Sequence, residues 1–125
     1  VLRRATLAAT RWQIAVMAAR PGDLVYFDPP YLPVSATSSF TGYSKLPFGL
    51  AQHAELAAAA RGLVENGVRV LVSNSSAPLV RKLYQGFRIA RVKAPRAINC
   101  QADRRGDVTE LVVCGGFDSP VRGRR

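Results

Sequence analysis

The chain has 125 residues, of which 48% are hydrophobic and 21% are charged. This composition is typical of one folded domain with a modest core, and it excludes a disordered chain. No apolar run reaches the roughly 18 to 20 residues that a membrane-spanning helix requires. The N-terminus carries no secretory pattern either, so the sequence predicts a cytoplasmic protein.

The formal net charge of +10 is unevenly distributed. Residues 81–125 hold eleven of the eighteen lysines and arginines against four acidic residues, which leaves +7 there and +3 in residues 1–80. A basic half favours a polyanionic partner, because each neutralised phosphate releases counterions. A high-GC coding sequence would produce the same arginine-rich composition without a functional meaning.

The first third of the chain predicts a helix, a strand and a long loop. A helix is expected over Ala8–Arg20, with one apolar face and a break at Pro21-Gly22. The apolar run Leu24–Phe27 predicts a buried strand. Residues 28–49 are rich in Pro, Ser, Thr and Gly and predict a loop, whose length is typical of a functional or a disordered segment.

The remaining elements are predicted as helix, strand, helix, strand and strand. The expected bounds are Leu50–Asn66 with a stop at Asn66-Gly67, Val68–Val72 ending at Ser73-Asn74, Ala77–Gln85, Phe87–Val92 and Thr109–Cys114. This order predicts an α/β fold with a mostly parallel sheet. Residues 1–117 would form the domain, and residues 118–125 a polar, basic and disordered tail.

Three residues that often carry chemistry are given ordinary roles by their context. Cys100 and Cys114 lack metal-ligand spacing, so we expect reduced, buried thiols. The single histidine, His53, lies in an Ala-rich helical stretch, and we expect it on the helix surface. The sequence predicts no metal site.

Asp28, Pro29, Pro30 and Tyr31 directly follow the first predicted strand, where ligands of parallel sheets bind. The Asp28 carboxylate and the Pro29 carbonyl are two acceptors that could take both hydrogens of an amino group. The direction of that carbonyl is restricted because a proline follows a proline. Tyr31 offers a flat face for a base, and such stacking contributes about 1–3 kcal/mol. The same residues could instead form a simple turn.

The segment Phe27–Tyr31 resembles the catalytic Asp-Pro-Pro-Tyr motif of amino-group methyltransferases. Residues Leu32–Tyr43, with Ser-Ala-Thr and Phe-Thr-Gly-Tyr, are similar to the loop that follows this motif in the DNA adenine methylase family. Leu71–Asn74, Arg96–Ile98 and Thr109–Leu111 resemble later segments of the same family in the same order.

The resemblance implies a partial Rossmann-like fold of the methyltransferases that use S-adenosylmethionine, with an antiparallel last strand. It implies methyl transfer from this donor, without a metal, to N6 of an adenine flipped out of double-stranded DNA. Asp28, Pro29, Pro30 and Tyr31 would be the catalytic motif: Asp28 and Pro29 would hold the amino group, and Tyr31 would stack on the base. Asp28 would also lie near the donor.

The resemblance also implies residues that contact the substrate. Tyr43, Ser73 and Asn74 are candidates for the pocket, although Tyr43 could only anchor the loop and Ser73-Asn74 could only cap a helix. Lys45, Arg96, Arg104 and Arg105 are candidate phosphate contacts, although each could be a solvated surface charge.

The sequence departs from the family in lacking its Phe-x-Gly-x-Gly donor loop and its target-recognition region. We therefore expect the C-terminal part of such an enzyme, inactive alone and binding the donor weakly, with the first strand as an open apolar edge. The alternatives are a methyltransferase acting on RNA adenines or glutamine side chains, and a non-enzymatic remnant. That remnant would be a nucleic-acid-binding fragment that needs a separate N-terminal half.

Overall fold

The computed structural model describes residues 3–34, 46–95 and 107–117, which form a mixed α/β structure. The helices are α1 (Trp12–Ala15), α2 (Leu50–Glu65) and α3 (Pro78–Leu83), and a 3₁₀ turn at Val16–Ala18 follows α1. The strands are β1 (Leu24–Phe27), β2 (Arg69–Ser75), β3 (Arg88–Pro95) and β4 (Asp107–Gly115).

The four strands form one sheet in the order β1-β2-β4-β3. Strand β1 pairs with β2 in parallel, with Phe27 opposite Val72, and β4 is antiparallel to both of its neighbours. Three strands therefore point in one direction and the last strand points in the other, as predicted. The insertion of this last strand between β2 and β3 was not predicted. Because β1 and β2 are parallel neighbours, the residues at their carboxyl ends lie side by side.

One face of the sheet and helices α2 and α3 enclose the hydrophobic core. The strands contribute alternate residues, because side chains of a strand point to opposite faces. The buried core residues are Phe27, Val70, Val72, Leu111 and Val113 from the strands, Leu56, Ala57 and Ala60 from α2, and Leu32, Ala77, Val80 and Tyr84. Burying a Val, Leu or Phe side chain stabilises the fold by about 1.5–3 kcal/mol.

The other face of the sheet leaves large apolar side chains in solvent. Leu24 and Tyr26 of β1 are 53% and 59% exposed, and Val92 of β3 is 43% exposed. Strand β1 is also an edge of the described sheet, as expected. The prediction that β1 is a buried strand is wrong. Only Phe27 is buried among the four residues of this strand.

Helix α1 is much shorter than the predicted helix over Ala8–Arg20. The backbone is extended at Arg11 and again at Ala19, so the helical segment is confined between them. Of the predicted apolar face Trp12, Ala15, Val16 and Ala19, Trp12 and Val16 pack against the core, whereas Ala15 is exposed. The rest of the segment is exposed or only partly buried, and a short helix with little apolar surface to bury gains too little from packing to extend further.

Strand β2 is longer at its carboxyl end than the predicted Val68–Val72. Ser73, Asn74 and Ser75 remain in the strand because they pair with residues 110–112 of β4. Polar residues suggested that the strand ends there, whereas the hydrogen bonds of the ladder continue it.

The remaining predicted elements exist, with shifted ends. Strands β3 and β4 are longer than predicted because they pair from Arg88 opposite Cys114 to Pro95 opposite Asp107. Helix α3 ends at Leu83 rather than at Gln85. Helix α2 ends one residue before Asn66, and Gly67 then takes the left-handed φ of 81° that the predicted stop requires.

The described residues include neither a candidate membrane span nor a candidate metal-ligating cluster. In residues 3–34, 46–95 and 107–117, no helix is both long and apolar enough to cross a bilayer. The same part of the chain contains no cluster of His, Cys, Asp and Glu that could ligate a metal.

Candidate functional site

The Asp28 carboxylate lies at the carboxyl end of β1 and is held by the neighbouring strand. Ser73 Oγ on β2 donates a hydrogen bond to Asp28 Oδ1 at 2.9 Å. The hydroxyl of Tyr26 donates to the same Ser73 oxygen at 3.0 Å. Ser73 is buried, whereas Asp28 is exposed. A solvent-accessible carboxylate is thus given a fixed direction by a buried hydroxyl.

Asn74 fixes the backbone that follows the Asp-Pro-Pro-Tyr motif. Its Oδ1 accepts hydrogen bonds from the backbone N–H groups of Leu32 at 3.0 Å and Ser75 at 2.8 Å. Ser75 Oγ donates to the Leu32 carbonyl, and Asn74 and Leu32 are both almost completely buried. The chain directly after Tyr31 is therefore tied to the end of β2.

The interpretation of Ser73-Asn74 as a helix cap is wrong. Residue Ala77 is the N-cap of α3, and its N–H donates to the hydroxyl of Ser75 at 3.3 Å. Ser73 and Asn74 instead lie in β2 and point their polar atoms at the motif. Ser75, which sequence reasoning did not single out, contacts both the loop and the start of α3.

Tyr31 lies outside the core, with 38% of its surface exposed. Its hydroxyl donates a hydrogen bond to Glu110 Oε2 of β4 at 3.2 Å. Burial raises the pKa of Tyr31 above its usual value of 10.0, and the charge of Glu110 adds to this. The phenol is therefore neutral at physiological pH and serves as a donor, while its ring remains accessible.

A cavity of about 200 Å³ lies beside the motif, between α1, β1 and α2. Its walls are mainly apolar, and Asp28 is its charged residue. The lining residues are Trp12, Phe27, Asp28, Pro29, Pro30, Phe48 and Leu56. Trp12 packs edge-on against Phe27, with 5.7 Å between the ring centroids. Asp28 thus lines this cavity, whereas the hydroxyl of Tyr31 extends away from β1 to Glu110 of β4.

His53 corrects another prediction, because it is buried with 0% of its surface exposed. Its ring packs edge-on against Phe48, with 4.8 Å between centroids. Burial lowers the pKa of His53, and the nearby backbone of Pro30 partly opposes this. Neither ring nitrogen completes a hydrogen bond with a described residue. The spacing of His53 to Leu56, Ala57 and Ala60 could have indicated a core position.

The structure brings four of the predicted site residues, Asp28, Tyr31, Ser73 and Asn74, to one end of the sheet. Pro29 is buried and Pro30 exposed between them. The predicted contacts Tyr43, Lys45, Arg96, Arg104 and Arg105 lie outside the described residues, as does Cys100. Cys114 is a free, partly buried thiol.

Sequence reasoning missed Tyr26 and Glu110. Tyr26 could have been found from the alternation of a strand, because it precedes Asp28 by two positions and lies on the same side. Glu110 lies in the segment Thr109–Leu111 that carried part of the resemblance. Its contact with Tyr31 depends on the register of β4 with β2, which pairs Glu110 with Ser75.

Comparison with known proteins identifies the family to which the chain belongs. Residues 4–98 match the sequence profile of the family described as D12 class N6 adenine-specific DNA methyltransferase. The chain is 44% identical over 106 residues to the DNA adenine methylase of Escherichia coli, covering 83% of this chain and 38% of that protein. It is 42% identical over 99 residues to a type II methyltransferase of Lactococcus lactis subsp. cremoris, covering 79% and 35% respectively.

A third relative is a type II methyltransferase of Methanocaldococcus jannaschii, 45% identical over 93 residues, which are 73% of this chain and 32% of that protein. Because the family profile matches most of the sequence, the chain belongs to the D12 class of N6 adenine-specific DNA methyltransferases. The matches span between 32% and 38% of the length of these three relatives.

Proposed function

We propose that this chain supplies the base-binding part of an enzyme that methylates N6 of adenine in DNA. The observation that carries the proposal is the fixed Asp28 carboxylate, held by Ser73 at 2.9 Å at the end of β1, with the accessible ring of Tyr31 beside it. Both side chains lie at the carboxyl end of parallel strands, the edge at which ligands bind in sheets of this kind.

The motif would act by holding the amino group of the base. The lone pair of adenine N6 is delocalised into the ring, which makes it a weak nucleophile. Asp28 and the Pro29 carbonyl would accept the two N6 hydrogens and aim the lone pair away from the ring plane. Tyr31 would stack on the flipped base and repay part of the extrusion cost of a few kcal/mol. Positioning and electrostatic stabilisation would supply most of the rate enhancement.

We take S-adenosylmethionine as the methyl donor, and the residues next to the motif suit part of this molecule. A donor with an aromatic base and cationic groups requires apolar walls and a carboxylate, and the cavity beside Asp28 offers both. Trp12 and Phe48 would contact its apolar part, and Asp28 would lie near its charged part. When bound, the donor supplies an electrophilic methyl group. The residues named here form one side of such a site, and the sequence contains no Gly-x-Gly segment to complete it.

Double-stranded DNA would bind along the basic part of the molecule. Arg88, Arg91 and Lys93 are exposed on β3, and α3 carries two further cations in its last turn. The proposal extends to Lys45, Arg96, Arg104 and Arg105 as phosphate contacts and to Tyr43 as a pocket residue. Phosphate contacts of this kind position a protein on DNA without reading its sequence.

The isolated chain would be incomplete as an enzyme. Strand β1 exposes Leu24 and Tyr26 at an edge of the sheet, where further polypeptide could extend a Rossmann-like sheet and complete the donor site. In this view residues 1–117 form the C-terminal part of a catalytic domain and residues 118–125 a polar tail. The second candidate function, a nucleic-acid-binding fragment that docks with a separate N-terminal half, is favoured by the same exposed edge and by the charge of +10.

Methyl transfer from labelled S-adenosylmethionine tests the proposal. The purified chain is assayed alone and together with the N-terminal part of the Escherichia coli relative, on duplex DNA, RNA and a glutamine peptide. We expect label in DNA as N6-methyladenine, only in the combined sample, and no low-micromolar donor binding by the chain alone in calorimetry. Label in RNA or peptide but not in DNA would reject the proposed substrate.

A further inference from the structure

Glu110 lies 79 residues after Tyr31 in the chain, and its carboxylate accepts the hydrogen bond of the Tyr31 hydroxyl at 3.2 Å. We propose that Glu110 is a positioning residue that fixes the orientation of the Tyr31 ring on which the base stacks. The inference rests on the proposed function, since the ring of Tyr31 is the surface that would receive the base. Glu110 acts through Tyr31 rather than by touching the substrate.

The position of Glu110 in the sheet makes it a rigid anchor. Strand β4 is an inner strand, and Glu110 is paired on one side with Ser75 of β2 and on the other with Val92 of β3. Its backbone is therefore held from both sides, and its side chain is only partly exposed. An acceptor on such an element holds its donor more accurately than an acceptor on a loop would.

Tyr31 is tethered at both ends. Its hydroxyl is held by Glu110, and the residue after it is held by Asn74, whose Oδ1 accepts from the backbone of Leu32 at 3.0 Å. The hydroxyl of Ser75 binds the Leu32 carbonyl as well. With its backbone and its ring tip both fixed, the plane of an otherwise accessible ring is defined before a base arrives. Such preorganisation lowers the entropic cost of binding.

A purely structural role for Glu110 would not depend on the Tyr31 hydroxyl. Glu110 could in principle serve only the pairing of β4, and its removal would then weaken the fold whatever residue stands at position 31. A positioning role requires instead that the loss of Glu110 has no further effect once the hydroxyl is gone. A double-mutant cycle separates the two roles.

The cycle compares the wild-type chain with Tyr31→Phe, Glu110→Ala and the double variant. The probe is a single-stranded oligonucleotide with one 2-aminopurine, whose fluorescence is quenched when the base stacks on an aromatic ring. We expect each single variant to bind the probe about threefold more weakly, the effect of one modest hydrogen bond. The double variant should be no weaker than either, and Glu110→Gln should retain wild-type binding, because its amide oxygen also accepts. Additive losses would overturn the inference.

A second measurement tests the hydrogen bond between Glu110 and Tyr31 even if the base does not bind. The ionisation of Tyr31 is followed by ultraviolet absorbance during a pH titration. The absorbance of the matching Tyr31→Phe variant is subtracted from that of each chain, so that only Tyr31 contributes. The charge of Glu110 helps to raise the pKa of Tyr31. The titration midpoint of Tyr31 should therefore be lower in Glu110→Gln than in the wild type. It should be unchanged in Thr109→Ala, the control at the neighbouring position of the same strand. An unchanged midpoint in Glu110→Gln would overturn the inference. A wild-type chain that does not quench the probe, but shows the shift, would instead count against the proposed base site.

Discussion

At the scale of single residues, Asp28 combines solvent exposure with a fixed direction. Its carboxylate accepts from the buried Ser73, which accepts in turn from Tyr26. The sequence predicted Asp28 and Tyr31 because their chemistry is carried by four adjacent residues. It named Ser73 only as a pocket candidate, and it missed the contact of Glu110 with Tyr31, which is made between strands and depends on register. One-residue shifts in register reverse the face of every side chain.

His53 gives a prediction at the same scale. Because burial lowers its pKa in the folded state, the unfolded chain binds the proton first as the pH falls. The stabilising contribution is thus complete above the unfolded pKa of about 6.5 and is lost progressively below it. We expect the wild type to lose more stability than His53→Leu between about pH 7.5 and about pH 5, as measured by urea unfolding. Equal losses in the two proteins would show that His53 is not buried as a neutral ring.

At the scale of elements, each predicted helix and strand in the described ranges exists, and the errors are in their ends. The length of α2 and its stop at Gly67 were predicted well, whereas His53 was placed on the surface of the helix rather than in the core. The ends of β2, β3 and β4 were missed because pairing between strands decides where they stop. Helix α1 was predicted too long because helix-compatible composition does not supply a surface to pack against.

A substitution of Gly115 at the end of β4 tests how closely that strand packs on α2 and on the segment before β3. A Cβ added there would overlap the ring of Phe87 and lie 2.8 Å from Val64 Cγ2. We expect Gly115→Ala to lower the free energy of unfolding by about 1–3 kcal/mol, the usual effect of overpacking. In the matched control, Gly62→Ala in α2, the added methyl meets no atom within 4 Å. This variant should raise the free energy of unfolding by about 0.5–1 kcal/mol, and a loss of stability there would contradict the packing described.

At the scale of the whole molecule, helices cover one face of the sheet, while Leu24, Tyr26 and Val92 remain exposed on the other. The sequence predicted the α/β class and the direction of the last strand, because the order of elements and the family resemblance agree. It did not predict that β4 lies between β2 and β3, since strand order is set by packing over long separations. The basic second half was visible from composition alone.

The proposed binding of DNA along the basic residues can be tested by its dependence on salt. Contacts between lysines or arginines and phosphates release counterions, so affinity should fall steeply with salt, with a logarithmic slope of about −0.9 for each phosphate contacted. Fluorescence anisotropy with a labelled random duplex between low and moderate salt measures this slope. The charge-reversing pair Arg91→Glu and Lys93→Glu on β3 should reduce it. A salt-independent affinity would show that the basic residues are only a solvated surface.

The proposed function depends most on Asp28, whose carboxylate would accept a hydrogen bond from the amino group of the target base. The most direct test is to measure the rate of methyl transfer to adenine N6 in duplex DNA for two variants, Asp28→Asn and Asp23→Asn. Each variant is combined with the N-terminal part of the Escherichia coli relative. Asp23 is an exposed aspartate just before β1, and its carboxylate accepts a hydrogen bond from the backbone N–H of Arg20 at 2.8 Å. Asp23→Asn removes one negative charge as Asp28→Asn does, so it is the matched control. We predict that Asp28→Asn lowers the rate by about 10²–10³-fold, while Asp23→Asn stays within about twofold because its charge touches no part of the site. Equal rates for the two variants would contradict the account.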